Sequence, residues 1–149
     1  MRAYSVSGPN ASGSATKTMV TVVGSTTVRP RVFDLVLGSQ ASPADQAAEY
    51  AVTRFTAAGT AGSSPTPLPL DPSDVAAVAT AGITHSAEPT YTANTDLLVI
   101  NLNQRATFRW VASPGYELVG PATANNGLGT RLVAATTALV NWANVFFFE

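Results

Sequence analysis

Short segments in which apolar and polar residues alternate are the feature that most limits the folds open to this chain. Residues 106–119, "ATFRWVASPGYELV", alternate on both sides of a Ser-Pro-Gly break. A period of two places the apolar side chains on one face of a β-strand and the polar ones on the other. Phe108 and Trp110 are therefore predicted to face a core, while Arg105 and Arg109 share the opposite face of the same strand. A turn at 113–115 is predicted to join this strand to a second one.

The alternation recurs along the chain and predicts seven to nine short strands. Other candidate strands lie at 16–23, 29–37, 49–56, 96–102, 128–135 and 139–148. Residues 96–102, "DLLVINL", are apolar on both faces, which is typical of a central strand. We therefore expect a single all-β domain over residues 1–149, either a β-sandwich or a jelly-roll-like barrel, with at most one short helix.

A proline-rich stretch separates two groups of predicted strands. Residues 57–74, "AAGTAGSSPTPLPLDPSD", contain four prolines and two glycines, which predict a long extended loop. Loops of this length often have a function, and spaced prolines favour a preformed extended conformation that can dock on a partner. Pro67 and Pro69 are therefore candidate partner contacts, and a plain surface loop is the alternative.

The end of this stretch contains the one candidate helix. Asp71 is a suitable N-cap, Pro72 suits the first helical position, and the helix would end at Gly82. Val78 and Thr80 suit a strand equally well, because the run is short.

The charge of the chain is low and balanced. Eight basic and nine acidic residues give a net charge of −1, and 11% of positions are charged, against about 25% in typical globular domains. We expect neither nucleic acid nor a membrane as partner, because two arginines form no basic stripe and no segment approaches about 20 apolar residues. Arg105 and Arg109 suit pairing with carboxylates of a protein partner, and solvated arginines are the alternative.

The sequence carries no recognisable catalytic, cofactor or metal motif. Cysteine is absent, and His85 is the single histidine. His85 lies near Glu88, so a base with its orienting carboxylate is conceivable, but a solvated loop histidine is the simpler interpretation. The glycines of residues 59–64 are followed by no basic residue, and the acidic residues are scattered. We expect no catalytic residues, no cofactor and no metal site.

The last ten residues, "VNWANVFFFE", place aromatic side chains on both faces of a predicted strand. Trp142, Phe146 and Phe148 lie on one face, and Phe147 lies on the other with Val145. A small two-layer domain covers one face of a strand with its core and leaves the other wet, so a second subunit is the economical cover. Phe146, Phe147 and Phe148 are therefore candidate interface residues of a homo-oligomer. Burial between the two layers and a loop is the alternative.

Several segments together resemble a known class of virion protein. They are "RFTAAGT" at 54–60, "PLPLDP" at 67–72, "NQRATFRWVA" at 103–112, "PGYEL" at 114–118, Asn126-Gly127 and the terminal aromatic-Glu pair. Over about residues 54–149 the chain resembles the small β-rich capsid decoration, or cement, proteins of tailed bacteriophages.

The resemblance implies a structural role without catalysis. Such proteins commonly form trimers and bind the major capsid protein on the outside of the head, which they stabilise. It also implies a place on the capsid surface of the virion after synthesis in the host cytoplasm. Two alternatives remain: a small tail or baseplate protein, and a carbohydrate-binding module in which Tyr91, Tyr116 or Trp142 forms a stacking platform.

Overall fold

A computed structural model describes residues 1–41 and 43–149 as two antiparallel β-sheets packed face to face. The strands are β1 (Ala3–Pro9), β2 (Lys17–Val23), β3 (Arg31–Ala41), β4 (Ala47–Ala57), β5 (Leu68–Pro69), β6 (Thr80–Ile83), β7 (Thr90–Asn103), β8 (Phe108–Val111), β9 (Leu118–Val119), β10 (Gly127–Ala135) and β11 (Val140–Phe148). No helix occurs in these two ranges. The prediction of an all-β fold of the sandwich type is confirmed.

The first sheet has the strand order β5-β1-β11-β3-β8, and β9 also pairs with β3. The C-terminal strand β11 lies in its middle, where Val145 is opposite Val6 of β1 and Leu35 of β3. The aromatic end of the chain is therefore held on both sides by backbone hydrogen bonds within the domain.

The second sheet has the strand order β6-β2-β10-β4-β7. Its last strand, β7, contains residues 96–102, which were predicted as a central strand. That prediction is wrong, since β7 pairs with β4 alone and lies at the edge of the sheet. The apolar pattern is real, but its position depends on pairing with a strand about 50 residues away in sequence, which no local pattern specifies.

The core lies between the sheets. Its largest enclosed side chains are Tyr4, Met19, Leu35, Leu37, Tyr50, Leu132, Leu139 and Phe147. Phe108 and Trp110 are half-buried and pack against this core, so the predicted core-facing side of residues 106–112 is confirmed. Enclosing each of the larger apolar side chains contributes about 1.5–3 kcal/mol.

Residues 71–82 form no helix. Asp71 caps a tight turn instead: its carboxylate accepts the Ser73 N–H at 2.9 Å, and its carbonyl accepts the Asp74 N–H at 3.0 Å. The chain then enters β6, where Gly82 is opposite Thr21 of β2. The helix prediction is wrong for two reasons. An aspartate side chain can accept hydrogen bonds from the backbone N–H groups of a tight turn as well as from those at a helix N-terminus. The residues that follow pair with β2 as a strand instead of continuing as a helix.

The predicted strand pair around residues 113–115 is also different in the structure. β8 and β9 do not pair with each other; both pair with β3, one after the other. Arg105 lies in the turn before β8, so it does not share a strand with Arg109. An 11-residue neighbour, β3, is long enough to accept both short strands along one edge.

Candidate interaction surface on the outer side of the first sheet

Three phenylalanines form a half-buried cluster on the outer side of the first sheet, which we call the aromatic face. Phe33 stacks on Phe148 with ring centroids 4.2 Å apart, and it lies 6.4 Å from Phe146. Phe146 and Phe148 point outward because alternate residues of β11 enter the core. Phe33 joins them because the register of β3 against β11 shifts beside it: Asp34 is opposite Phe146, whereas Val32 is opposite Phe147.

Exposed apolar side chains extend the aromatic face across the whole sheet. One row crosses five of the six strands in register: Leu68 on β5, Ser5 on β1, Phe146 on β11, Asp34 on β3 and Val111 on β8. The two ends of the row are open to solvent, with Leu68 66% and Val111 55% exposed. The row is therefore a mainly apolar stripe across the domain, interrupted by one serine and one carboxylate.

The carboxylate in this stripe is neutralised within the domain. Asp34 accepts two hydrogen bonds from the Arg109 guanidinium, at 3.1 and 2.6 Å. The bidentate contact raises the pKa of Arg109, because hydrogen bonds to the Asp34 carboxylate stabilise the charged guanidinium. Arg105 differs, because it is exposed and forms no ion pair with any residue that the structure describes. The two predicted arginines thus differ: Arg109 is paired with Asp34 within the domain, whereas Arg105 can contact a partner.

The proline-rich stretch lies beside the aromatic face. Its two-residue strand β5 pairs with β1, which places Pro69 opposite Tyr4. A groove of about 180 Å³ opens between this stretch and the sheet, lined by Ser5, Ser7, Pro65, Leu68, Asn144 and Phe146 among others. Pro67 is buried and Pro69 is half-buried, so Leu68 between them is the side chain that a partner can reach.

Phe147 lies on the other side of β11 from the aromatic face. Its ring is fully buried and stacks on Tyr4 with a centroid distance of 5.7 Å. Of the three predicted interface phenylalanines, Phe146 and Phe148 have outward surface, whereas Phe147 has none left for a partner. The prediction of opposite faces for these residues is confirmed.

His85 is enclosed, which the sequence interpretation did not anticipate. The side chain is 2% exposed, and its Nε2 lies 3.5 Å from the Thr21 hydroxyl. Burial lowers the pKa of His85, although the charge of Glu88 acts in the opposite direction. The Glu88 carboxylate accepts hydrogen bonds from the backbone N–H and hydroxyl of Thr18, at 2.9 and 2.5 Å. Glu88 therefore anchors β2 and does not orient the histidine as a catalytic base.

The three tyrosine and tryptophan candidates for carbohydrate stacking are not together. Tyr91 is covered by the Arg131 guanidinium, 4.4 Å above its ring, and its hydroxyl lies 2.6 Å from the Thr18 hydroxyl. Burial raises the pKa of Tyr91. Tyr116 is 77% exposed in the turn before β9, and Trp142 lies on the outer side of the first sheet. The Arg131 guanidinium therefore occupies one face of the Tyr91 ring, where a sugar would stack.

Within residues 1–41 and 43–149, no group of three or more His, Cys, Asp or Glu side chains could hold a metal ion. The same ranges contain no helix with the length and apolarity required to cross a membrane. Comparison of the chain with protein-family models, with curated proteins and with solved structures finds no match.

Proposed function

We propose that this chain is a non-enzymatic virion structural protein: a capsid decoration, or cement, protein that binds the outside of a phage head and stabilises it. Its partners are the major capsid protein and further copies of itself in a homotrimer, with neither nucleic acid nor membrane involved. It is made in the host cytoplasm and ends on the capsid surface. The proposal rests on the resemblance over residues 54–149 and on one structural observation.

That observation is the apolar stripe across the first sheet. Leu68, Phe146 and Val111 are contributed by three separate parts of the chain, yet the strand register aligns them on one side. Two of these parts, the proline-rich stretch and residues 103–112, belong to the segments that carry the resemblance. An exposed apolar patch of this kind usually marks a protein contact, because it is costly to leave in water.

The stripe has two uses in the proposed assembly. The aromatic face joins neighbouring subunits around the threefold axis, where it supplies rigid apolar side chains at low entropic cost. The groove beside Leu68 and the available Arg105 face the capsid. Each single contact is small, but a trimer that engages three equivalent sites on a repeating shell gains from high effective concentration.

Addition of the purified protein to expanded capsids tests this function. The capsids are assembled from the major capsid protein of the genome that encodes the chain, without the chain itself. We expect the protein to bind them and to raise their resistance to heat, because a ligand of the assembled state stabilises that state by mass action. Cosedimentation and calorimetry of the capsids measure the two effects.

Two variants and a control show which surface is used. Leu68→Ala and Arg105→Ala should each weaken addition to capsids while leaving the oligomer intact. Arg29→Ala is the matched control, since it removes another exposed arginine, in the loop between β2 and β3. Arg109 is unsuitable for this test, because its removal leaves the nearly buried Asp34 carboxylate without its partner. Wild-type protein that binds no capsid form and occurs in purified tails instead would favour the tail or baseplate role.

A further inference from the structure

Strand β7 has the one long sheet edge that the described part of the chain leaves unprotected. The other edge strands are short: β5 and β9 have two residues each, and β6 and β8 have four. Ser63 further covers β6 by exchanging backbone hydrogen bonds with Ile83, at 2.9 and 3.3 Å. In contrast, β7 has 14 residues, and its segment 97–102 contains neither a charge nor a proline. Sheet proteins normally block such edges to prevent pairing with another chain.

The alternation of hydrogen bonds between β7 and β4 shows which backbone N–H and C=O groups of β7 point outward from the sheet. The Gln104 N–H donates to the Gln46 carbonyl at 2.9 Å, so the even-numbered residues of this part of β7 are the ones that bond to β4. Val99 and Asn101 therefore direct their N–H and C=O groups away from β4. No loop or side-chain hydrogen bond within residues 1–41 and 43–149 reaches these four groups. Val99 is 49% exposed.

The sequence of the edge is complementary to itself. Residues 98–102 read Leu-Val-Ile-Asn-Leu, which is nearly symmetric about Ile100. If a second copy runs antiparallel with the twofold axis at Ile100, then Leu98 of one copy lies beside Leu102 of the other on the core side. The two Ile100 residues meet at the axis, and Val99 exchanges backbone hydrogen bonds with Asn101 of the partner. No like charges are brought together in this arrangement.

The same arrangement explains why the segment has the pattern of a central strand. Leu98 and Leu102 are only half-buried in the single chain, although both pack against the core. A neighbouring strand would cover them and would join the two five-stranded sheets into one continuous sheet. We infer that β7 is a pairing edge for a second copy of this chain, with residues 98–102 antiparallel about a twofold axis at Ile100.

Hydrogen exchange combined with analytical ultracentrifugation tests this inference on the full chain. Particles with an even number of copies are expected at micromolar concentration. The amides of Val99 and Asn101 should exchange more slowly as concentration rises, because carbonyl groups of a partner strand then accept hydrogen bonds from their N–H groups. The amides of Ile100 and Leu102 serve as internal controls, since they donate to β4 in either state.

A charged substitution at the edge provides the second test. Val99→Lys places two positively charged side chains at diagonally opposed positions about 7–8 Å apart across the axis, so we expect the twofold contact to weaken by roughly tenfold. Val78→Lys is the matched control: Val78 is 52% exposed, close to the exposure of Val99, but it lies in the loop before β6. Wild-type particles with one or three copies, or equal weakening by both variants, would overturn the inference.

Discussion

At the scale of single residues, His85 is the group whose environment differs most from its expected one. It is enclosed against Thr21, and burial holds its pKa below the ordinary value of 6.5. The unfolded chain therefore takes up a proton at a pH where the folded chain does not. The contribution of His85 to stability is therefore fully present above pH 6.5, and we expect the free energy of unfolding to fall as the pH drops from about 7.5 to 5.5. Urea unfolding at a series of pH values measures this slope.

The variant His85→Gln isolates the effect, because His85 is the only histidine of the chain. A glutamine amide can still reach Thr21 but does not titrate, so the slope between pH 7.5 and 5.5 should disappear. The pKa values of Asp96 and Glu117 are lowered, mainly by hydrogen bonds from the Thr53 hydroxyl and the Gly115 N–H respectively. These two carboxylates therefore change the free energy of unfolding only at more acidic pH than His85 does. An undiminished slope in the variant would assign the pH dependence to other groups.

Residue directions were predictable where the strand alternates without interruption. The opposite faces of Phe146 and Phe147 follow from period two alone. Phe33 was not predictable in this way, because strict alternation places it on the side of Leu35, and the register shift against β11 turns it outward. The burial of His85 was equally hidden, since it depends on contact with a strand more than 60 residues earlier.

At the scale of strands, β11 has one side in the core and one side on the aromatic face. Substitutions on the two sides should therefore have different effects on the free energy of unfolding. Phe147→Ala removes a fully buried ring from the core, so we expect it to cost about 3–5 kcal/mol of unfolding free energy. Phe146→Ala removes a half-buried ring from the aromatic face, so its cost to the isolated domain should be much smaller. Chemical denaturation of both variants at a concentration that keeps the chains monomeric compares them. Equal costs would contradict the assigned directions.

The bounds of the strands were more predictable from the sequence than the pairing of the strands within the sheets. Strands β2, β4, β10 and β11 begin and end within a few residues of their predicted bounds, because alternation is a local signal. Strand β1 was missed, since its small residues give a weak pattern; it forms by pairing with β11, with Tyr4 and Val6 entering the core. The edge position of β7 and the shared pairing of β8 and β9 with β3 depend on distant partners.

At the scale of the whole molecule, the two proposed contacts lie on different sheets. The aromatic face belongs to the outer side of the first sheet, and the β7 edge belongs to the second. The face is proposed to contact neighbours around a threefold axis, whereas the edge pairs two copies about a twofold axis. A threefold and perpendicular twofold axes together form a closed particle of six copies. The two contacts use different strands, so a substitution in one should leave the other intact.

We therefore expect wild-type particles of six copies when both contacts are saturated, in which two of the proposed trimers are joined through β7 and each copy has a mass of 15.3 kDa. Phe146→Glu introduces a charge into the aromatic face and should leave particles of two copies, held by β7. Val99→Lys should leave particles of three copies, held by the aromatic face. Sedimentation velocity distinguishes these masses directly. Particles that keep six copies in Phe146→Glu would show that the aromatic face is not the threefold contact. In that case the groove beside Leu68 would be the next surface to substitute, because it lies on the same side of the first sheet and is also lined by apolar side chains.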